Sequence, residues 1–195
     1  MSDIKNILLV GVGGQGVLTA SEILSEALLI AGYDVKKAEV HGMSQRGGSV
    51  NSHVRFGKKV YSPLIDEGEA DMVFSFELLE AMRNAHYLKK DGYMVASNET
   101  IVPNSVYAGG PQYPEDPAAL LKNVLGNRFF CINADDIAKE IGNFRFANVV
   151  LLGAVSSLMK LSDDCMTQAI KNMVPANSLD GNIAAYKKGK ELVQA

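Results

Sequence analysis

A glycine-rich turn between an apolar segment and a helical repeat, within residues 6–30, constrains the fold of this chain most. The stretch "NILLV" (6–10) is a continuous apolar run, typical of strands buried on both faces of a parallel sheet. The glycines Gly11, Gly13 and Gly16 follow it, and apolar residues then recur at helical spacing as far as the stop at "AGYD". "DVKKAEV" is a second strand by its pattern, so we predict a right-handed strand–helix–strand unit with parallel strands.

The remaining segments continue the alternation of strands and helices. "SVNSHVRFGKKVYSPLI" contains two β-rich stretches around Gly57 and Lys58, which predicts a hairpin at that point. Buried strands are predicted at "ADMVFSF", "YMVAS" and "RFFCINA", and only helices from about Phe146 onward. We therefore expect an α/β fold in one domain over residues 1–195: a Rossmann-like, mostly parallel sheet with a β-hairpin insertion and a helical C-terminal part.

Composition excludes several classes of protein. A chain of 195 residues with 47% hydrophobic and 21% charged residues is typical of a soluble globular domain, and no apolar run approaches the roughly 18 residues of a membrane span. The net charge of −3 disfavours a nucleic-acid partner. The N-terminal sequence does not resemble a secretion leader, so we expect a cytoplasmic protein without a membrane partner.

The two cysteines, Cys131 and Cys165, are too few for a zinc or iron–sulfur site built within this chain. No metal ligands are predicted, and both thiols are expected to be small buried apolar groups.

The glycine turn itself predicts an anion site or a packing requirement. "GVGGQG" matches the G-x-G-x-x-G pattern of dinucleotide-binding turns, in which the backbone approaches a phosphate at a helix N-terminus. Glu39, 23 positions after Gly16, could hold a ribose hydroxyl, which leaves a stand-alone NAD-dependent oxidoreductase as one alternative. Another anion, or close packing of helix on sheet, would require the same glycines. Gln15 at the mouth of the turn and the polar stretch after the second strand count against the dinucleotide.

Three segments together resemble a known family. The stretches "GVGGQGVLTASEILSEA", "EVHGMSQRGGSVNSHVRFG" and "SFELLEAMR" resemble the gamma-type component of 2-oxoacid:ferredoxin oxidoreductases, and length and motif order are most similar to the small (beta) subunit of the indolepyruvate branch. The pyruvate and 2-oxoglutarate branches remain alternatives, because the motifs do not separate them well.

The resemblance implies a non-catalytic subunit of an enzyme that oxidatively decarboxylates a 2-oxoacid to an acyl-CoA and passes the electrons to ferredoxin. Thiamine diphosphate and the iron–sulfur clusters would belong to a large catalytic (alpha) subunit, and coenzyme A could be a ligand shared with it. We also expect an exposed apolar patch where that partner docks, and possible homodimers of the isolated chain. No catalytic residue is predicted in this chain.

The residues that the resemblance places at the site belong to two loops. The first loop contributes Gly11, Gly13, Gly14, Gln15 and Gly16, and the second contributes Ser44, Gln45, Arg46, Gly47, Gly48 and Ser49. We expect both loops to follow adjacent parallel strands and therefore to lie side by side at one rim of the sheet. Arg46 could contact an anionic ligand, contact the partner subunit or brace the loop. The roles of His41 and Glu77 stay open, with bracing favoured for Glu77 over capping of the following helix.

Overall fold

The computed structural model describes residues 4–41 and 47–193. The strands in chain order are β1 (Lys5–Val12), β2 (Asp34–His41), β3 (Ser49–Gly57), β4 (Ala70–Ser75), β5 (Leu88–Ser97) and β6 (Phe129–Ile132). The helices are α1 (Val17–Ile30), α2 (Leu78–Arg83), α3 (Asn104–Tyr107), α4 (Pro117–Leu125), α5 (Ala134–Ile141), α6 (Ala147–Met159), α7 (Asp163–Met173) and α8 (Leu179–Glu191). None of these helices is long and apolar enough to cross a membrane.

The six strands form one mixed sheet in the order β2-β3-β1-β4-β5-β6. Strands β1, β4, β5 and β6 pair in parallel, whereas β3 is antiparallel to both of its neighbours, β1 and β2. The predicted α/β class with a mostly parallel sheet and a helical C-terminal part is confirmed. The hairpin insertion is the β2–β3 pair, which places β3 between β2 and β1.

The position predicted for the hairpin, around Gly57 and Lys58, is wrong. Strand β3 has both edges occupied, by β1 and by β2, so residues 58–69 find no free edge to pair with. That segment instead packs on the sheet through the buried side chains of Val60 and Ile65. Arg55 on β3 supports it by donating hydrogen bonds from Nη1 to the carbonyls of Ser62 and Leu64, at 3.0 and 2.9 Å.

The expectation that β1 and β2 are adjacent parallel strands is also wrong in part. The two strands run in the same direction, but β3 lies between them. Their separation is therefore about 10 Å, or two strand spacings.

Apolar residues alternate along the strands and divide the core between the two faces of the sheet. Ile7 and Leu9 of β1 belong to a large cluster with α1, α6, α7 and α8, and we call this side the α1/α6 face. Leu8 and Val10 belong to a smaller cluster with α2 and α4, on the side that we call the α2/α4 face. The carboxyl ends of the parallel strands meet at one rim, where the first glycine loop and the described end of the second, residues 47–49, lie.

Candidate functional site

The first glycine loop joins β1 to α1 at the rim of the sheet. A Cβ atom on Gly11 would lie 2.8 Å from Val17 Cγ2 and 2.9 Å from Phe76 Cβ, so any larger residue would push the helix off the strand. Gly16, at the N-cap of α1, has φ 83°, a left-handed conformation that glycine adopts at little cost. The loop therefore needs glycine for its packing and its backbone, whether or not a ligand is present.

Gln15 braces this loop from within. Its Oε1 accepts the N–H of Val12 at 2.8 Å, and its Nε2 donates to the carbonyl of Phe76 at 2.8 Å. The amide thus ties the end of β1 to the residue that follows β4. Sequence reasoning placed Gln15 at the mouth of the turn, and its main contacts are with the protein itself.

The second loop returns to the same point of the rim. The N–H of Gly13 donates to the carbonyl of Gly48 at 2.9 Å, and Val12 pairs with Ser49 in the β1–β3 register. The two loops are therefore joined by a backbone hydrogen bond, although the strands that precede them are not adjacent. Ser44, Gln45 and Arg46 lie outside the described residues, as does the side chain of His41.

Glu80 of α2 anchors the described end of the second loop. Its carboxylate accepts the hydroxyl of Ser49 on Oε2 at 2.6 Å and the Arg83 Nη1 on Oε1 at 2.7 Å. Glu80 is only 2% exposed. Asn84, at the C-terminal end of α2, adds a second link by accepting from Asn51 Nδ2 at 3.1 Å.

Sequence reasoning missed Glu80, although "SFELLEAMR" was part of the resemblance. The available signal was the position of the glutamate between Leu78 and Ala81, the buried residues of α2, with Arg83 three residues later.

Glu77 has both of the roles that the sequence left open. Its Oε2 caps α2 by accepting the Glu80 N–H at 2.8 Å. Its Oε1 accepts the N–H of Ile101 at 3.2 Å and the hydroxyl of Tyr113, and thereby braces the segment after β5. Glu77 is buried, and the pKa of Tyr113 is raised by burial and by its hydrogen bond to this carboxylate.

A groove of about 1110 Å³ opens beside the first glycine loop. Residues from several elements line it, among them Gly14, Phe76, Glu99, Asp135, Lys139 and Asn148. The Asp135 carboxylate and burial raise the pKa of Glu99 to about 7, with Lys139 acting in the opposite direction. The groove therefore holds two neighbouring carboxyl groups, Glu99 and Asp135, of which Glu99 has its pKa raised by this proximity.

In this fold Glu39 is not placed to bind the ribose of a dinucleotide at the glycine turn. Glu39 on β2 is separated from β1 by β3 and forms an ion pair with Lys37 at 2.9 Å. A ribose beside the glycine turn would require an acid on a strand next to β1. Glu39 does not meet that condition.

The two cysteines are more exposed than the sequence predicts. Within the described residues, no group of three or more His, Cys, Asp or Glu side chains could hold a metal ion. Cys131 on β6 is exposed and Cys165 on α7 is partly exposed, so the expectation of buried thiols is wrong. Two thiols on separate elements do not fit an iron–sulfur cluster.

His53 has a packing role. Its Nδ1 accepts the Ile65 N–H at 3.1 Å, and burial lowers the pKa of its ring.

Comparison with known families identifies the chain. Residues 6–192 match the family described as "Pyruvate ferredoxin/flavodoxin oxidoreductase". The chain belongs to that family. The predicted resemblance is thereby confirmed, and so is the prediction that the chain is a component of a 2-oxoacid:ferredoxin oxidoreductase.

Relatives within the pyruvate ferredoxin/flavodoxin oxidoreductase family cover nearly the whole chain. Indolepyruvate oxidoreductase subunit IorB of Thermococcus kodakarensis is 42% identical over 188 residues, which are 94% of this chain and 93% of the relative. The IorB subunit of Archaeoglobus fulgidus is 40% identical over 192 residues, with 94% and 92% covered. The 2-oxoglutarate synthase subunit KorC of Methanocaldococcus jannaschii is 29% identical, with 97% and 94% covered.

Solved structures have the same fold. The gamma subunit of a keto/oxoacid ferredoxin oxidoreductase from Geobacter sulfurreducens superposes with a TM-score of 0.72 at 23% identity, covering 97% of this chain and 98% of that one. A 2-oxoglutarate:ferredoxin oxidoreductase from Magnetococcus marinus superposes with a TM-score of 0.75 at 21% identity, covering all of this chain but 32% of that one.

Proposed function

We propose that this chain is the small, non-catalytic subunit of an indolepyruvate-type, or aryl pyruvate, 2-oxoacid:ferredoxin oxidoreductase. The complete enzyme converts a 2-oxoacid and coenzyme A to an acyl-CoA and carbon dioxide, and transfers two electrons to ferredoxin. Thiamine diphosphate and iron–sulfur clusters, both expected on the large subunit, would supply the decarboxylation chemistry and the electron transfer. The enzyme is expected to be cytoplasmic.

The observation that carries this proposal is the similarity to IorB subunits over nearly the full length. The IorB relatives in Thermococcus kodakarensis and Archaeoglobus fulgidus are 42% and 40% identical to this chain. The KorC subunit of Methanocaldococcus jannaschii reaches 29%, and a subunit shared by pyruvate and ketoisovalerate oxidoreductases in Pyrococcus abyssi reaches 28%. This difference favours the indolepyruvate branch over the other two.

Within the complex, the two glycine loops would form a ledge that faces coenzyme A. This ledge consists of Gly11, Gly13–Gly16 and Ser44–Ser49. Support comes from the first turn of α1, which has no side-chain cap and no acidic residue, so its N–H groups are available to an anion. Gly14 is exposed at the same turn, and Gly11 and Gln15 hold its shape from below. We assign Arg46 to a phosphate of coenzyme A, because its guanidinium forms paired hydrogen bonds with phosphate oxygens.

Exposed apolar side chains are consistent with docking on a large partner. Tyr61 is 87% exposed and Leu64 53% exposed, both in the segment after β3, and Val40 on the edge strand β2 is 52% exposed. Obligate interfaces are more apolar than ordinary surface, so we expect these side chains to be covered in the complex. Without the large subunit, the same side chains would favour self-association of the chain.

Reconstitution with the large subunit tests the proposal. We expect the chain alone to be inactive, and the mixture to reduce ferredoxin with indolepyruvate or phenylpyruvate in the presence of coenzyme A. Higher kcat/KM for pyruvate or 2-oxoglutarate would assign another branch. Reduction of NAD by the isolated chain would contradict the subunit role altogether.

The Arg46→Gln variant tests the assignment to coenzyme A within that reconstituted enzyme. Loss of one charge-assisted phosphate contact should raise the KM for coenzyme A about tenfold and leave the KM for the 2-oxoacid unchanged. An unchanged KM for coenzyme A would remove Arg46 from the coenzyme site.

A further inference from the structure

Ser49 marks the end of the second loop and is held from two sides. Its hydroxyl donates to Glu80 Oε2 at 2.6 Å, and the carbonyl of the preceding residue, Gly48, accepts the N–H of Gly13 at 2.9 Å. One carboxylate on α2 therefore connects, through two hydrogen bonds in series, with the turn at the start of α1. Helix α2 and helix α1 lie on opposite faces of the sheet, so this chain of contacts crosses the rim.

Burial of Glu80 is not explained by the stability of α2. That helix already has a buried N-cap in Glu77 and apolar contacts through Leu78 and Ala81. Burial of a carboxyl group to 2% exposure carries a desolvation cost, and an apolar side chain of similar volume would fill the same space without that cost. Its partner Arg83 is half-exposed, with 49% of its side chain accessible. Arg83 is therefore not a buried positive charge that needs Glu80 as its counter-ion.

The contacts of Glu80 point to a role at the rim. Both of its oxygens are occupied, one by Arg83 and one by Ser49. The Arg83 guanidinium donates to Oε1 and fixes the rotamer of the side chain, so that Oε2 accepts the hydrogen bond from the Ser49 hydroxyl. We propose that Glu80 is a positioning residue that, through Ser49 and Gly48, sets where the glycine turn Gly13–Gly16 meets coenzyme A.

This inference rests on the proposed function, because it presumes that the rim faces coenzyme A. Glu80 lies on α2, outside both glycine loops, and would affect the binding of coenzyme A without touching it. Small displacements of a positioned group have large kinetic effects, so loss of the anchor should appear in the KM for coenzyme A before it appears in folding.

The experiment uses the reconstituted complex and two substitutions at the same contact. Ser49→Ala removes the donor, and Glu80→Leu removes the acceptor while retaining apolar volume on α2. Each should raise the KM for coenzyme A about tenfold, with kcat and the KM for the 2-oxoacid changed by less than about twofold. The double variant should be no worse than either single variant, because one hydrogen bond joins the two residues.

Glu191→Gln is the matched control. Glu191 forms an i,i+3 ion pair with Lys188 on α8, as Glu80 does with Arg83, but both partners are exposed. The kinetic constants of the control should equal those of the unmodified complex. If Glu80→Leu does not fold, Glu80→Gln replaces it, because glutamine keeps the side-chain volume and weakens the hydrogen bonds to Ser49 and Arg83.

Two results separate this inference from the proposed function. If Arg46→Gln raises the KM for coenzyme A and Ser49→Ala does not, the positioning role is overturned and the proposed function stands. If none of the variants changes that KM, coenzyme A does not contact this rim, and both the positioning role and the coenzyme assignment fall. A fall in the yield of folded complex at unchanged KM would show a purely structural role and would also overturn the inference.

Discussion

The two faces of the sheet differ in what lies buried in them. On the α1/α6 face the core is large, its helices approach one another through glycine, and the buried polar side chains of those helices, Ser21, Ser156 and Asn182, are uncharged. On the α2/α4 face the apolar cluster is smaller, and Glu77, Glu80 and Asn84 are buried beside it with hydrogen-bond partners. The comparison indicates that the first face supplies stability, whereas the second uses buried polar groups to hold loops in place.

Close helix contact on the α1/α6 face gives the prediction with the largest expected effect. A Cβ atom on Gly189 of α8 would lie 1.8 Å from the carbonyl oxygen of Val150 on α6. Since backbone cannot move aside as a side chain can, Gly189→Ala should lower the free energy of unfolding by at least about 3 kcal/mol. Urea denaturation measures the change. Lys187→Ala, on the exposed side of α8, is the control and should change it by less than about 0.5 kcal/mol.

If Gly189→Ala lowered the free energy of unfolding by less than about 1 kcal/mol, the proposed difference between the two faces would be contradicted. The helices on the α1/α6 face would then be free to shift, and the close packing described for that face would not be its main source of stability.

Removal of a buried polar anchor on the α2/α4 face should have the next largest effect. Glu77→Ala removes the cap of α2 and the contacts to Ile101 and Tyr113, and should lower the free energy of unfolding by about 2–3 kcal/mol. Unlike the glycine substitution, it should also increase the rate of proteolytic cleavage between residues 98 and 116, because that segment loses its anchor. Limited proteolysis under native conditions measures this difference.

Asp116→Ala is the matched control for Glu77→Ala. Asp116 caps α4 at an exposed site, where its carboxylate accepts the Ala119 N–H at 2.9 Å, and its loss should cost about 1 kcal/mol. Equal effects of the two substitutions would mean that Glu77 acts only as a helix cap and does not brace the rim.

Substitution of Glu99, one of the two carboxyl groups in the groove, should have a smaller effect on the free energy of unfolding. This substitution should stabilise the protein, whereas the two preceding ones destabilise it. Because the pKa of Glu99 is raised to about 7, this group favours the folded state below the pKa of the unfolded chain, and that contribution is lost as the pH rises toward 7. Glu99→Gln should therefore stabilise the protein at pH 8 by about 1 kcal/mol, a value reduced by solvent screening of the partly exposed pair. The gain should disappear below about pH 4.5.

Thermal denaturation from pH 4 to pH 8 measures this dependence. Asp135→Asn removes the other member of the pair, so the double variant should gain little over either single one. A stabilisation that is the same at all pH values would show that the two carboxyl groups do not interact.

Local sequence patterns predicted the strands and helices well, but they predicted less well which strands pair with each other. The apolar run of β1, the glycine turn and the periodicity of α1 are contained within 30 residues, and they appear as predicted. The insertion of β3 depends on pairing between residues about 40 positions apart, which local propensity does not encode. The Gly57–Lys58 signal was a true strand end, but the partner strand lay before β3 and not after it.

At the candidate site, too, contacts between residues that are distant in sequence were not predicted. The two glycine loops were recognisable because their glycines lie close together in sequence. Glu80 was missed because a glutamate in a short helix usually faces solvent, and only the fold brings Ser49, 31 positions earlier, against it. The contact that makes Gln15 a brace, with the carbonyl of Phe76, likewise joins residues 61 positions apart.

Amide exchange at Gly13 shows whether the two glycine loops are joined at the rim in solution. The N–H of Gly13 donates to Gly48 across the loops, whereas Gly14 is exposed beside it. In hydrogen–deuterium exchange followed by NMR, we predict that Gly13 exchanges at least about 100-fold more slowly than Gly14, relative to their intrinsic rates. Equal exchange at both glycines would show that the loops are not joined in solution and would contradict the account.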